Sequence, residues 1–257
     1  MELDRLFSID GKVALVTGGS RGIGEMIVRG YVAAGARVYV SSRRADACEA
    51  LAAELSDTGE CIALPADLGS PEGCEALAEE IGAREPELHV LVNNAGATWG
   101  APLGAYPAEG FDKVMDLNVR GVFLLTQALL PQLEAAGSHE DPARVLNVGS
   151  IDGIQVPMFD SYAYSASKAA VHHLTRHLGR ALAPRDVTVN AIAPGLFLTR
   201  MTRFLEDHQD EVVARIPRGR LGTPEDVVGI ALFLASRAGA YVTGAVVPVD
   251  GGLATLR

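Results

Sequence analysis

The chain has 257 residues, of which 48% are apolar and 21% carry a formal charge. This length and composition predict one globular α/β domain with a large core, and a second domain is not required. Lys and Arg number 22 against 32 Asp and Glu, and the resulting net charge of −10 argues against a nucleic-acid or membrane-surface partner.

Short apolar segments alternate with amphipathic segments along the whole chain. The predicted strands are Lys12–Thr17, Arg37–Ser41, Glu60–Pro65, Leu88–Val92, Arg144–Gly149, Asp186–Ile192 and Ala245–Val249. The predicted helices lie near 22–34, 45–57, 71–84, 109–136, 162–183, 200–213 and 224–236. Because the strands are apolar with little alternation, they suit a parallel sheet covered on both faces. The pattern predicts a single domain over 1–257 with a Rossmann fold, a doubly wound parallel seven-stranded sheet flanked by helices.

Two helix starts carry a clear signal. Ser70 and Thr223 are each followed by a proline and an acidic residue, a combination typical of an N-cap and the first helical turn. Three of the long irregular stretches, 97–107, 151–161 and 194–220, follow strand ends, where ligands bind in such sheets.

The first predicted strand runs directly into a glycine-rich turn and then a helix. This turn reads Thr17-Gly18-Gly19-Ser20-Arg21-Gly22-Ile23-Gly24. Glycines at such a place allow a tight turn and let backbone amides approach a pyrophosphate at the helix N-terminus. The turn therefore predicts a dinucleotide site.

The second predicted strand indicates which dinucleotide is bound. NAD binders usually place an acid near this strand end, but here Ser42 is followed by Arg43 and Arg44, and Asp46 comes near the start of the next helix. We interpret Asp46 as a helix N-terminal acid. Arg43, with Arg21 from the glycine turn, would clamp a 2′-phosphate, which favours NADP(H). The alternative is that both arginines are solvated surface charges.

Tyr164 and Lys168 lie four residues apart in a predicted helix, and Ser150 lies just upstream of that helix. Residues at this spacing share one helix face, so an ammonium can approach a phenol whose ordinary pKa is about 10. The adjacent cation should lower that pKa, and a tuned phenol can exchange a proton with an alcohol or carbonyl oxygen.

The spacings of the cysteines and histidines do not predict a metal site. Cys48, Cys61 and Cys74 form no close pair, which predicts reduced structural cysteines in a cytoplasmic protein. His173 and His177 are four apart beside His172 but lack a third ligand, so we interpret these histidines as surface or subunit-interface residues. No secretory signal or apolar run of about 18 residues is apparent, and we expect no membrane span.

Taken together, these motifs resemble the short-chain dehydrogenase/reductase family over essentially the whole chain. The motifs that carry the resemblance are Thr17–Gly24, Asp67-Leu68, Asn93-Asn94-Ala95-Gly96, Leu117-Asn118-Val119, Ser150, Tyr164-x-x-x-Lys168, Pro194-Gly195 and Asp250-Gly251-Gly252. Within the family the chain most resembles 3-oxoacyl thioester reductases, in particular the branch associated with rhamnolipid-type hydroxyacyl precursors.

The resemblance implies a role for each motif. Tyr164 would donate the proton, Lys168 would lower the tyrosine pKa and hold the nicotinamide ribose, Ser150 would bind the substrate oxygen, and Asn118 would anchor a water that resupplies protons. Asp67 would contact the adenine, and Thr199 the carboxamide. The implied cofactor-binding residues, including the two arginines, are Gly18, Ser20, Arg21, Gly22, Ile23, Gly24, Arg43, Asp67, Leu68, Asn94, Ala95, Gly96, Tyr164, Lys168, Pro194, Gly195 and Thr199.

The resemblance also implies a substrate lid at about 199–220 and a homodimer or homotetramer. The substrate would be a small carbonyl compound, for example a CoA or carrier-protein thioester. Arg180 matches one carrier-docking arginine, but the second falls near Gly137 in an acidic stretch, so both thioesters remain open. An NAD(P)-dependent alcohol, sugar or steroid dehydrogenase and a non-catalytic nucleotide sensor are the alternatives.

Two positions depart from the family pattern. Ser150 and Tyr164 are fourteen residues apart, one more than usual, so the connecting loop must absorb a residue. Gly149 stands where a second serine is common, and we expect this to have little effect.

Overall fold

The computed structural model describes residues 2–199 and 209–256. Within them, seven parallel strands form one sheet in the order β3-β2-β1-β4-β5-β6-β7. The strands are β1 (Val13–Thr17), β2 (Arg37–Ser41), β3 (Cys61–Ala63), β4 (Val90–Asn93), β5 (Ala143–Val148), β6 (Val187–Pro194) and β7 (Val246–Val249). The prediction of a doubly wound parallel sheet is confirmed.

Helices cover both faces of this sheet. They are α1 (Leu3–Leu6), α2 (Gly22–Ala33), α3 (Ala45–Leu55), α4 (Pro71–Arg84), α5 (Ala108–Met115), α6 (Gly121–Ala128), α7 (Leu130–Ala136), α8 (Tyr162–Leu182), α9 (Gln209–Val213) and α10 (Pro224–Ala235). None of the helices in the described part of the chain combines the length and apolarity needed to cross a bilayer.

The strand side chains divide between two cores because successive residues of a strand point to opposite faces. In β1, Ala14 and Val16 pack with α2, α3 and α10. Val13 and Leu15 pack on the other face with α4, α6 and α7. Both faces of the central strands are therefore buried, which explains why their sequences are apolar without alternation.

The strand order reverses between β1 and β4. The chain leaves β1 toward β2 on one side and leaves β4 toward β5 on the other. This reversal opens a crevice at the carboxyl ends of β1 and β4, where ligands bind in open α/β sheets. The glycine turn and the loop after Asn93 both border this crevice.

The segment predicted as one helix over 109–136 is divided. α5 ends at Met115, and a π-helical turn over Asp116–Arg120 follows, in which Gly121 N bonds to Asp116 O. Pro131 lies in the first turn of α7, a position where its missing N–H costs no helical hydrogen bond. Of the predicted helix 200–213, residues 200–208 lie outside the described residues, and α9 begins at Gln209.

The predicted helix starts are confirmed. Ser70 Oγ accepts a hydrogen bond from Gly73 N at 3.2 Å, and the Asp226 carboxylate accepts one from Thr223 N at 2.8 Å. Cys48, Cys61 and Cys74 are free thiols, as expected of reduced structural cysteines.

A buried ion cluster ties the amino ends of β1 and β5 together. The Arg144 side chain is only 2% exposed, and its Nη2 donates to Asp141 Oδ1 at 2.9 Å and to Ser236 O at 3.0 Å. Lys12 Nζ donates to the same carboxylate at 3.0 and 2.9 Å. Burial lowers the pKa of both cations, so Asp141 is the counter-charge that keeps them stable inside.

We predict that Asp141→Asn destabilises the protein, because it leaves two buried cations without their carboxylate. The expected loss is about 2 kcal/mol in the free energy of unfolding, measured by urea denaturation. Glu80→Gln, which breaks an exposed pair with Arg84, is the control and should cost less than about 1 kcal/mol. Equal losses in the two variants would contradict the cluster's role.

Candidate active site

The glycine turn is held by the end of β4. Asn94 Nδ2 donates to Thr17 O at 2.9 Å and to Gly18 O at 3.0 Å. Thr17 Oγ1 in turn accepts from Asn94 N and Ala95 N, both at 3.0 Å. A Cβ at Gly24 would lie 2.3 Å from Asn94 Nδ2, so glycine is required there. The Asn94 amide thus shapes the turn, in addition to the cofactor contact that the family resemblance implies for this residue.

Other predicted cofactor residues line the same crevice. Gly22 has φ +59°, and a Cβ on it would lie 3.5 Å from Thr199. Gly96 faces α8, since a Cβ there would lie 3.8 Å from Lys168 Nζ. Gly195 N bonds to Val249 O at 2.9 Å and fixes the loop after Pro194. The crevice therefore runs from the glycine turn to α8.

The end of β2 meets the glycine turn through two serines. Ser20 Oγ donates to Ser42 Oγ at 2.9 Å, which brings Arg43 next to the turn. Arg43 is exposed, and within residues 2–199 and 209–256 it makes no ion pair with a carboxylate. Arg44 instead pairs with Asp46, which lies in the first turn of α3 as predicted. Arg43 is thus available to an anionic ligand.

The predicted adenine side lies at the end of β3. Asp67 is exposed, and its Oδ1 accepts from Gly69 N at 3.1 Å, which orders the turn before α4. The next residue, Leu68, is buried in the core. Ala66 N bonds to Ser42 O at 3.1 Å, so this segment and the end of β2 form one wall.

Lys168 is buried between α8 and β5. Its Nζ donates to Val148 O at 2.7 Å and lies 5.5 Å from the centroid of the Tyr164 ring. Burial lowers the pKa of Lys168 to about 8. The structure thus brings the predicted tyrosine and lysine together on one helix face.

Tyr164 and Ser150 are the two side chains expected to act on the substrate oxygen, and we refer to them as the reactive pair. A hydrogen bond from Ser150 to the phenol lowers the pKa of Tyr164, but burial outweighs it and raises that pKa to about 12, with the Asp152 carboxyl adding to the rise. The net shift is opposite to the lowering expected from Lys168, because burial dominates and the ammonium donates its hydrogen bond to Val148 O. A phenol that stays protonated at neutral pH is the form that a proton donor requires.

Asn118 lies in the π turn between α5 and α6, and its amide makes three hydrogen bonds. Nδ2 donates to Ala97 O at 3.0 Å and to Ser167 Oγ at 2.9 Å, and Oδ1 accepts from Ala97 N at 2.8 Å. The side chain therefore fixes the loop after β4 against α8. π turns are frequent at functional sites, and the water expected at Asn118 stays a prediction.

The neighbouring aromatic residues have structural roles. Tyr162 OH donates to Asp160 Oδ1 at 2.7 Å, and the Tyr162 ring stands edge-on to Tyr106 at 5.7 Å, outside the reactive pair. Trp99 packs on Gly110, and Lys113 Nζ lies 5.6 Å from its ring centroid. These contacts join the loop after β4 to the loop before α8.

The histidines of α8 differ from one another. His173 and His177 are exposed, as predicted, whereas His172 is buried beneath Gly149 and Gly153. No three His, Cys, Asp or Glu side chains converge as metal ligands would among the described residues. Arg180 is exposed on the same helix.

The predicted lid at 199–220 is described only in part, since 200–208 lie outside the described residues. Ile216 and Leu221 pack with Leu253 and with Ile151, which directly follows Ser150. A separate cavity of about 570 Å³ lies between this segment and the end of β7 and is not lined by the reactive pair. The described end of the segment is thus anchored to the turn that carries Ser150.

Sequence reasoning missed three residues of the site. Ser167 links Asn118 to Tyr164 O, Asp152 lies beside the phenol, and His172 supports the turn after β5. The sequence signal for Ser167 and His172 was their helical spacing from Tyr164 and Lys168. Asp152 had no such signal, because it lies in an irregular loop.

Comparisons with known proteins agree with this geometry. The family model described as enoyl-(acyl carrier protein) reductase matches residues 18–254. The rhamnolipids biosynthesis 3-oxoacyl-[acyl-carrier-protein] reductase of Pseudomonas aeruginosa is 50% identical, covering 96% of this chain and 97% of its own.

Two solved structures are also similar. The Pseudomonas aeruginosa RhlG/NADP active-site complex has a TM-score of 0.94 at 49% identity, covering 99% of this chain and 100% of that one. A short-chain type dehydrogenase/reductase from Mycobacterium marinum has a TM-score of 0.91 at 32% identity, with 99% and 100% coverage. The chain belongs to the short-chain dehydrogenase/reductase family.

Proposed function

We propose that this protein is an NADPH-dependent reductase that converts a 3-oxoacyl thioester, or a similar ketone, into its hydroxy form. The observation that carries the proposal is the hydrogen-bonded pair of Ser150 and Tyr164 next to the buried Lys168 ammonium. The relatives that act on 3-oxoacyl groups or bind NADP support this assignment.

The residues of the crevice fit a dinucleotide with a 2′-phosphate. The glycine turn leaves no room for a side chain at Gly18 or Gly24, so backbone amides at the start of α2 are open to a pyrophosphate. Arg43 is exposed at the end of β2, and a guanidinium suits a phosphate group. Bound NADPH would supply the hydride for the reduction.

The protein's own groups would handle the carbonyl oxygen. Ser150 and Tyr164 would both bind it, and Tyr164 would transfer its proton as negative charge develops. The Lys168 ammonium lies 5.5 Å from the phenol ring and favours the anion that remains after this transfer. Asn118 and Ser167 hold α8 in place while the proton moves.

The loop between Ser150 and Tyr164 favours an acyl substrate over a sugar. Val156, Met158 and Phe159 are 89%, 71% and 55% exposed, and all three are apolar. An apolar rim beside a reactive pair suits a hydrocarbon chain, whereas a sugar needs several polar groups. An alcohol, sugar or steroid dehydrogenase remains the alternative, and comparison of these substrates separates the two. The intact reactive set argues against a non-catalytic nucleotide sensor.

The assembly and the thioester carrier are further parts of the proposal. Phe111 and Phe123 are exposed along α5 and α6 and would be covered in a homodimer or homotetramer. Arg180 is one exposed cation available to an acidic carrier, but the net charge of −10 disfavours such docking, so a CoA thioester is the simpler probe. We expect a cytoplasmic protein that needs neither a metal, a nucleic acid nor a membrane.

We predict that Tyr164→Phe lowers kcat for NADPH-dependent reduction of acetoacetyl-CoA by about 10³-fold, because the proton donor is lost. NADPH binding, measured by fluorescence titration, should be unchanged. Tyr162→Phe is the matched control, since its hydroxyl bonds to Asp160, and it should behave like wild type. Unchanged turnover in Tyr164→Phe would refute the catalytic assignment.

We predict that Arg43→Ala raises the KM for NADPH by about 10- to 100-fold, as expected for loss of a charged hydrogen bond to phosphate. The KM for NADH should change little. Arg44→Ala is the control, because Arg44 pairs with Asp46. An equal change for both cofactors would show that Arg43 is only a surface charge.

We predict that kcat/KM for reduction falls as the pH rises through about 8, because the lowered pKa of Lys168 removes the ammonium there. Tyr164, with its pKa raised to about 12, stays protonated over this range. The midpoint should be the same for acetoacetyl-CoA and for a ketone that lacks an acidic methylene. A midpoint that follows the substrate would assign the titration to the substrate instead.

A further inference from the structure

His172 lies beneath the turn that joins β5 to α8 and carries Ser150. It is 4% exposed and follows Tyr164 and Lys168 on one helix face at intervals of four residues. A Cβ at Gly149 would lie 2.2 Å from His172 Nε2, and one at Gly153 would lie 2.8 Å from Cε1. The imidazole thus contacts the turn on both sides of Ser150.

A lack of space for a side chain requires glycine at position 149. Gly149 is not among the glycines with positive φ, so its backbone conformation is open to other residues. Its amide continues the sheet by bonding to Ile192 O at 2.8 Å. The imidazole is the side chain that most closely excludes a Cβ, which makes Gly149 and His172 a complementary pair.

The ring also holds the far side of the turn by a hydrogen bond. His172 bonds to the backbone carbonyl of Gly153. Nε2 is buried and has no hydrogen-bond partner within the described residues, so the donor is Nδ1. Burial and the nearby Lys168 ammonium lower the pKa of His172 to about 4, which keeps the ring neutral at physiological pH. The hydrogen bond to the Gly153 carbonyl favours the tautomer that carries its proton on Nδ1.

Two other side chains of α8 donate hydrogen bonds to the backbone on either side of this turn. Ser165 Oγ donates to Asp152 O at 2.7 Å, and Lys168 Nζ donates to Val148 O at 2.7 Å. Gly153 N bonds back to Ser150 O at 3.0 Å. A displacement at Gly149 or Gly153 would therefore move Ser150 relative to Tyr164.

We propose that His172 is a positioning residue for carbonyl reduction: its ring fills the space left by Gly149 and its Nδ1–H holds the Gly153 carbonyl, which keeps Ser150 against Tyr164. This inference rests on the proposed function, because it takes Ser150 and Tyr164 to be the groups that bind the carbonyl oxygen.

The hydrogen bond is tested by two substitutions of similar size. In His172→Asn the amide can donate to Gly153 O from nearly the position of Nδ1, whereas His172→Leu has no donor. We expect kcat with NADPH and acetoacetyl-CoA to fall about tenfold in His172→Leu and clearly less in His172→Asn. The KM for NADPH should stay unchanged in both, because the glycine turn is remote from this ring.

The neighbouring His173→Asn is the matched control, since His173 is exposed, and it should retain full activity. Equal kcat values for His172→Asn and His172→Leu would overturn the proposal. A loss of thermal stability with unchanged kcat would also overturn it, because that pattern marks a purely structural residue.

The complementarity of the pair is tested by a double-mutant cycle. Gly149→Ala alone should lower kcat by about tenfold or more, since its Cβ would clash with the ring. Adding His172→Ala removes the clash and should restore part of that loss. A double variant no more active than Gly149→Ala, or a fully active Gly149→Ala, would refute the complementarity.

A measurement without turnover separates this inference from the proposed function. In ¹⁵N-histidine-labelled wild type, the ring signals of His172 are identified as those that are absent from the spectrum of His172→Asn. Their chemical shifts should be those of a neutral ring protonated at Nδ1 between pH 6 and about 8. An Nε2-protonated or charged ring would overturn the positioning role. If this tautomer is found but wild type does not reduce acetoacetyl-CoA, the substrate proposal fails and the geometry of the turn stands.

Discussion

The burial of the Lys168 ammonium is the constraint on which the site depends. A charged group inside a protein is costly unless hydrogen bonds satisfy it, and here Val148 O, at the end of β5, accepts one at 2.7 Å. This bond fixes the position of α8 along β5. Because Tyr164 lies one turn earlier on α8 and Ser150 lies two residues beyond Val148, the same bond brings the phenol and the hydroxyl together. The catalytic geometry is therefore a property of helix-to-sheet packing.

A second set of bonds connects this region to the nucleotide end. Asn94 ties the loop after β4 to the glycine turn, and Asn118 ties the same loop to Ser167 on α8. Ser167 in turn donates to Tyr164 O at 2.7 Å. The two asparagine amides bond to backbone groups and to the Ser167 hydroxyl, so they act as scaffold between the glycine turn and α8.

The sequence was sufficient for the fold, because strand burial and helix amphipathicity are local patterns that parallel sheets express strongly. It also identified Tyr164, Lys168 and Ser150, whose spacing encodes their proximity. It failed where the outcome depends on three-dimensional packing. Burial sets the direction in which the pKa of Tyr164 shifts, and its helical neighbour does not. The π turn at Asn118 is accompanied by hydrogen bonds to the loop after β4. The requirement for glycine at position 149 comes from the ring of His172, which lies 23 positions later in the chain.

The predicted reactive residues and the loop before α8 differ in physical character. Ser150, Tyr164 and Lys168 are fixed by hydrogen bonds to a sheet buried on both faces, so their geometry tolerates little change. Val156 and Met158 are largely exposed and add little to the core, although they lie between Ser150 and Tyr164 in the chain. Because these two side chains are exposed, substitutions there should cost little stability, whereas a change at Ser150 or Lys168 disturbs buried packing.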